Sequence, residues 1–358
     1  MESILHSVSI TEQLPYPAFI VKDGIITEVN SAAQERQLPV GTNINTLIYS
    51  GLEDYAQYTS GKLFVQLRID KVFCDASVTK VDDMHLFCLE SGYASSELRV
   101  LALAAQQLKE PLTNAIANAD RLLHSSIVQT NPEIKTQLGQ LNHGLYQLTR
   151  SVGNMADAGL SSRNHLLKIE TQDAGAVFSE IMSKATAVAN HTDRTLVFKN
   201  LIKATDCAMD YELIERAVLN LISNALKFSP KGSSVSATLR RAGGRLCFSI
   251  ENTNDNAHSS MYNHIFARYL REPGVEDGRF GIGLGMSIVR AAAAIHNGAV
   301  LVNSTAKKTK ITLSISLQQK SSNMLRSPIQ LIGGYTGGWD NLMIELSDVL
   351  PASLFEEI

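Results

Sequence analysis

A change of hydrophobic period near Ser95 constrains this 358-residue chain more than any other feature. Beyond it Leu98, Leu101, Ala105, Leu108, Leu112, Ala115, Ala119 and Leu122 recur in alternating steps of three and four, the a/d seam of a helix packed lengthwise on another. After a break at Thr130-Asn131-Pro132 the pattern resumes with Ile134, Leu138, Leu141, Leu145, Leu148, Val152 and Met155. Two such helices with a short connection make an antiparallel hairpin, which alone leaves its apolar seam half covered. A second copy completing a four-helix bundle, and so a homodimer, is the expected remedy.

The flanks follow other rules. From about Pro15 to Glu90, short apolar runs alternate with turns: AFIVK and IITEV flank Asp23-Gly24, KLFVQLRI follows, and VFCDASVTKV and HLFCLE are joined at Val81-Asp82-Asp83-Met84. This predicts a small, mostly antiparallel sheet with a helical insert near SAAQERQ, because Asp-Gly supplies the positive φ of a tight hairpin. From about Lys168 to Leu317, candidate helices Ala174 to Asn190, Asp210 to Phe228 and Gly285 to His296 alternate with strands LVFKN, SVSATLRR, RLCFSIEN, AVLVNST and KITLSISL. That mixture predicts an α+β layer with helices on one face. SSNMLRSP then reads as a linker, and Leu342, Ile344, Leu346, Val349 and Leu350 as part of a short helix docking on a neighbour.

Composition removes several function classes. A formal net charge of −3, with 44% hydrophobic and 19% charged residues, argues against disorder and against polyanion binding through bulk charge. No basic stripe or aromatic platform suggests nucleic-acid binding. Cys74, Cys88, Cys207 and Cys247 are far apart with no CxxC, so they are expected as reduced core residues rather than a disulfide frame or zinc site. His85 and Cys88 are expected as ordinary strand residues. No stretch of about 18 apolar residues is present, and a cytoplasmic location with no membrane span is expected.

The chemistry concentrates in two places. In NLISNALKFSP, Ile214, Val218, Leu221, Ile222 and Ala225 form the core face of the helix, whereas Asn220, Asn224 and Lys227 fall at i, i+4 and i+7 on another. Such a face is either simply solvated or placed for an amide oxygen on Mg²⁺ and an ammonium on phosphate. About 55 residues on, GRFGIGLGMSIVR places Gly281, Gly283, Leu284 and Gly285 ahead of a helix whose N-terminal amides suit phosphate. Between them IFARYLRE supplies Arg268 and Arg271 as candidate cations.

The order of these parts, a heptad hairpin, NLxxNAxKFSP, IFxRYxR and GxGLGxSIV, resembles the sensor histidine kinases of bacterial two-component systems. The likeness covers about Glu97 to Leu317, and the N-terminal sheet looks like a PAS sensor. It implies a multidomain α+β chain: a PAS-like α/β sensor at 1–93, a dimerising helical hairpin at 94–165 and a Bergerat-fold α/β sandwich at 166–318, followed by a linker and tail at 319–358. It further implies ATP as ligand, Asn224 as the Mg²⁺ ligand, Asn220, Lys227 and Arg268 at the nucleotide, Phe228 beside adenine, and Gly281, Gly283, Leu284 and Gly285 in the lid. A response regulator or partner kinase, and a small ligand of the PAS-like domain, are the implied partners.

Two departures qualify the expected activity. In QQLKEPLT, Pro111, Leu112 and Thr113 keep the family's places, so Gln106 stands at the phosphoacceptor histidine and Gln107 at the following acid. An amide is neither nucleophile nor base near neutrality, so phosphoryl transfer to that position is not expected. With Gln107 and Glu110 in place of an acid and a threonine, the family's phosphatase motif is missing too. His124 and His143 are the other hairpin histidines, and His143 is expected as a solvated polar residue. Where the family has D-x-G-x-G after a strand, Asn252, Asn254 and Asn256 stand. Loss of the aspartate charge at Asn252 costs adenine recognition about 1–2 kcal/mol. The expected protein is therefore a kinase homologue that binds ATP–Mg²⁺ without autophosphorylating at the usual site, or else a non-catalytic pseudokinase scaffold. A stand-alone ATPase or serine kinase would not need the hairpin.

Overall fold

Alternating apolar residues build the N-terminal sheet. In the computed structural model, which describes residues 10–36, 38–89, 94–158, 167–254, 284–317 and 340–356, β1 (Ala18–Lys22) and β2 (Ile25–Val29) meet across Asp23 and Gly24. Both turn residues hold positive φ, 50° and 79°, the backbone state that Asp-Gly tolerates. α1 (Ser31–Gln34), β3 (Ile48–Ser50), α2 (Leu52–Ala56), β4 (Lys62–Ile69), β5 (Val72–Val81) and β6 (Met84–Leu89) follow. The strands run in the order β2-β1-β6-β5-β4, all antiparallel, with β3 on β4. Phe19 and Phe87 stack across it at 4.9 Å between ring centroids.

The hairpin consists of α3 (Ala94–Leu123), α4 (Ser126–Gln129) and α5 (Pro132–Ala158). Its packing departs from the expected seam. Ala102, Ala105, Ile116, Ala119 and Leu123 of α3 are buried, as are Asn142, Tyr146, Val152 and Ala156 of α5. Leu108, Leu122, Leu141 and Leu148, which periodicity placed in the same seam, are exposed at 49–54%. Alanines let the two backbones approach closely, and the leucines are left on an outer stripe.

The third unit comprises β7 (Ile169–Asp173), α6 (Ala174–Ala189), β8 (Thr195–Asn200), β9 (Asp206–Asp210), α7 (Tyr211–Lys227), β10 (Ser234–Ala242), β11 (Arg245–Thr253), α8 (Gly285–Ile295), β12 (Val300–Ser304) and β13 (Lys308–Ser316). Strands order as β12-β13-β11-β10-β8, with β8 parallel to β10 and the other pairs antiparallel. Alternate residues of one sheet face, among them Val235, Ala237, Leu239, Phe248, Ile250, Ile311 and Leu313, pack with α6, α7 and α8 in one core. The short pair β7-β9, which periodicity did not reveal, leads into α6 and α7.

The two sheets are continuous. β12 pairs antiparallel with β4, Val300 opposite Phe64 and Val302 opposite Lys62, so the N-terminal sheet caps the open edge of the C-terminal one. Ser50 Oγ donates to Gly298 O at 2.7 Å, Arg245 pairs with Asp54 and donates to Gln57 Oε1 at 2.7 Å, and the Arg290 guanidinium lies 5.3 Å from the Phe64 ring centroid. No helix among the described residues is long and apolar enough to cross a membrane.

The tail is part of the fold. α9 (Asn341–Leu346) and a 3-10 turn, Ala352–Glu356, bury Leu342, Ile344, Leu346, Leu350 and Phe355 against α5 and α7. The SSNMLRSP linker lies outside the described residues.

Candidate nucleotide site

α7 is fixed at both ends before any ligand is considered. Asp210 caps it, Oδ1 accepting from Leu213 N at 3.1 Å, and Asp210 N donates to His296 Nε2 at 2.9 Å. His296 Nδ1 faces Ala292 O at 2.7 Å, so the ring is neutral with its proton on Nδ1, and the start of α7 is tied to the end of α8. Burial correspondingly pushes the His296 pKa below its ordinary value. At the other end Phe228, half-buried, closes the helix through its N–H to Asn224 O at 3.1 Å.

The face carrying Asn220, Asn224 and Lys227 is not simply solvated. Asn220 is fully buried, its Nδ2 donating to Arg216 O and Glu345 Oε2, both at 3.0 Å, while Oδ1 accepts from Arg150 Nη2 at 3.4 Å. Gly285 opens α8 directly against it: a Cβ there would lie 2.5 Å from Asn220 Oδ1. Asn224 is half-buried and directs its Nδ2 to Met286 Sδ at 3.1 Å, leaving the amide oxygen, the atom a hard cation takes, outside that contact. Lys227 Nζ donates to Asp348 Oδ2 at 2.9 Å. Leu284, buried, precedes the first turn of α8, where Ser287 Oγ donates to Leu284 O at 2.6 Å.

The asparagines after β11 have structural partners. Asn252 is buried and donates through Nδ2 to Thr253 O at 3.1 Å. Asn254 is buried, donates through Nδ2 to Thr305 O at 2.7 Å, and keeps Oδ1 buried without a hydrogen-bond partner among the described residues. Such an acceptor costs about 1–3 kcal/mol until a donor reaches it. Asn256, Arg268, Arg271, Gly281 and Gly283 lie outside the described residues.

Gln106 and Gln107 are exposed on α3, one and two places past buried Ala105. His143 departs from expectation. It is half-buried, its Nε2 lies 2.7 Å from Ser347 O, and its ring stacks on Phe355 at 4.7 Å. His85 lies in β6 with Nδ1 2.8 Å from Tyr55 Oη, and all four cysteines are free.

Local patterns missed a group of charges around α7. Arg150 of α5 donates to Glu345 Oε2 at 3.3 Å and pairs with Asp348 at 2.7 Å, and Arg216 donates to Glu345 Oε1 at 3.1 Å. Burial opposes ionisation of Asp348, but Arg150 and Lys227 beside it prevail and hold its carboxyl below the ordinary range. An arginine inside the repeat of α5 was the one available signal.

Residues 209–319 match the family described as histidine kinase-, DNA gyrase B-, and HSP90-like ATPases. The chain is 22% identical over 312 residues to the probable sensor kinase SilS of Salmonella typhimurium, covering 85% of this chain and 60% of that protein. It is 29% identical over 203 residues to the sensor protein IrlS of Burkholderia pseudomallei, covering 56% of this chain and 42% of that one. It thus spans about half the length of these relatives. Full-length ShkA in complex with AMPPNP superposes on 62% of the chain and 46% of its own, at 20% identity and a TM-score of 0.48. Residues 209–319 thus carry a domain of the histidine kinase-, DNA gyrase B-, and HSP90-like ATPase family, in a chain that is similar to bacterial sensor kinases.

Proposed function

We propose that this chain is a cytoplasmic signalling homologue of the sensor kinases that binds ATP–Mg²⁺ between α7 and α8 but does not phosphorylate itself at the usual position. The meeting of Asn220 and Asn224 with the glycine-opened start of α8, with Lys227 three residues further along α7, carries this reading. The donor set fits the ion: Asn224 offers a neutral oxygen, and Lys227 a point charge for phosphate. A bound Mg²⁺ would supply charge neutralisation for the phosphates. The protein's own part is to hold the amide and ammonium on one rigid helix, with Phe228 beside the base and Leu284, Gly285 and the preceding Gly281 and Gly283 over the phosphates. Arg268 belongs to the same proposed set.

The units are assigned as a PAS-like sensor at 1–93, a dimerising hairpin at 94–165, an ATP-binding domain at 166–318 and a tail at 319–358. Exposed Leu108, Leu122, Leu141 and Leu148 support closure of the hairpin by a second copy into a four-helix bundle. Pairing of β4 with β12 supports a direct route from the sensor sheet to α8, which only four residues separate from β12. A small ligand of the sensor is the proposed input. A response regulator, as in the solved complex of the histidine kinase ThkA with the response regulator TrrA, or a partner kinase, is the proposed output.

Gln106 decides the chemistry. Its amide offers no nucleophile, so the chain acts by conformation or on another protein. Incubation with γ-labelled ATP and Mg²⁺ is expected to give retained nucleotide and no acid-labile phosphate on the chain; label lost on His143→Ala would refute this. The alternative, a scaffold without nucleotide, is favoured by the asparagines at 252 and 254 and is distinguished by the absence of any retained nucleotide.

A further inference from the structure

The groups that would take nucleotide phosphates already have an occupant. Asp348, two residues past α9, bonds the Lys227 ammonium at 2.9 Å and the Arg150 guanidinium at 2.7 Å. Glu345, 3% exposed, bonds Arg216 at 3.1 Å, Arg150 at 3.3 Å and the Asn220 amide at 3.0 Å. Three cations and a buried asparagine thus converge on two carboxylates from one short segment. The segment is held from behind by apolar contacts: Phe355, fully buried, stacks on His143 at 4.7 Å and meets Tyr146 edge-on at 5.1 Å, and Ser347 O lies 2.7 Å from His143 Nε2.

We propose that the acidic C-terminal segment, residues 340–356, is a built-in competitor of nucleotide, with Asp348 holding the ammonium that a phosphate would otherwise take. This deepens the ATP–Mg²⁺ reading and rests on it. Lys227 has one ammonium and two claimants. A polyphosphate arriving beside Asp348 and Glu345 meets like charge as well as an occupied cation, so binding requires the segment to yield. Because Arg150 belongs to α5, the same carboxylates clamp the hairpin onto α7. Displacing the segment therefore opens the phosphate face and frees the hairpin in one event, and the apolar anchors keep the displaced segment close enough to return.

The test uses the full chain with a fluorescent ATP analogue and Mg²⁺, as wild type, Asp348→Ala and Asp348→Asn. Losing one charge-assisted bond to Lys227 should tighten nucleotide binding about tenfold. The same variants should melt at lower temperature without nucleotide, because they lose the clamp. General destabilisation would lower both quantities, so opposite signs identify competition. Hydrogen exchange on the wild type needs no variant, and nucleotide should accelerate exchange across residues 341–356. Unchanged affinity in both variants, or unchanged exchange at saturating nucleotide, overturns the competition and leaves the nucleotide reading standing. No binding by any of the three folded proteins overturns both.

Discussion

Glu345 offers a quantitative test of how the tail is held. Its carboxylate is 4% exposed and serves Arg216 at 3.1 Å and Arg150 at 3.3 Å, with side-chain exposures of 5% and 7%, and Asn220 at 3.0 Å. Removing one partner of a buried pair strands the other charge, a cost of about 3–5 kcal/mol. Glu345→Gln keeps the shape and part of the hydrogen bonding, so about 3 kcal/mol is expected. Arg216→Met leaves Glu345 its bonds to Arg150 and Asn220, and should cost about 2 kcal/mol. In the double variant Glu345→Gln with Arg216→Met, neither charge is stranded and Arg150 keeps Asp348 at 2.7 Å. The double variant should therefore lose no more than the worse single one, a coupling of about 2 kcal/mol. The single tryptophan, Trp339, immediately precedes the segment in sequence, and its fluorescence in urea provides the assay, read as midpoint at constant slope. Strict additivity, or single effects below about 0.5 kcal/mol, would refute the buried cluster.

Other outcomes follow from the same packing. Gly285→Ala should displace Asn220, whose amide is held on both sides, and cost about 1–3 kcal/mol in thermal melts together with nucleotide affinity; unchanged values would contradict the close approach. Burial depresses the folded pKa of His296 below the ordinary 6.5, so the unfolded chain binds the extra proton first. Stability should then be level above about pH 6.5 and fall as pH drops toward the lowered folded value, a slope that His296→Gln removes in pH-dependent denaturation. The proposed dimer should dissociate to monomers in analytical ultracentrifugation on Leu122→Asp with Leu141→Asp, without loss of helix; a monomeric wild type, or a dimer unchanged by the variant, would refute closure through this stripe.

What was legible in the sequence was local. Asp23-Gly24 marked its hairpin because few residues accept positive φ, and the core face of α7 followed from a 3.6-residue period. The hairpin helices were equally plain, but their contact register was not. A heptad pattern counts Ala119 and Leu122 alike, whereas close packing selects the alanine and turns the leucine outward. The β4–β12 pairing left no trace, since backbone groups at a sheet edge accept any suitable strand. The tail was the deepest omission. Its apolar residues announced a short helix, but Glu345 and Asp348 meet Arg150, Arg216 and Lys227 only across more than a hundred residues of chain, which no window of periodicity spans.

Calorimetric titration of the full chain with a non-hydrolysable ATP analogue tests the central claim most directly, with Mg²⁺ and then with chelator, on wild type and Asn224→Ala. The expected result is saturable, Mg²⁺-dependent binding to wild type that Asn224→Ala loses while remaining folded. Folded wild-type protein that takes up no analogue at millimolar concentration, or binds it equally with chelator, would contradict it.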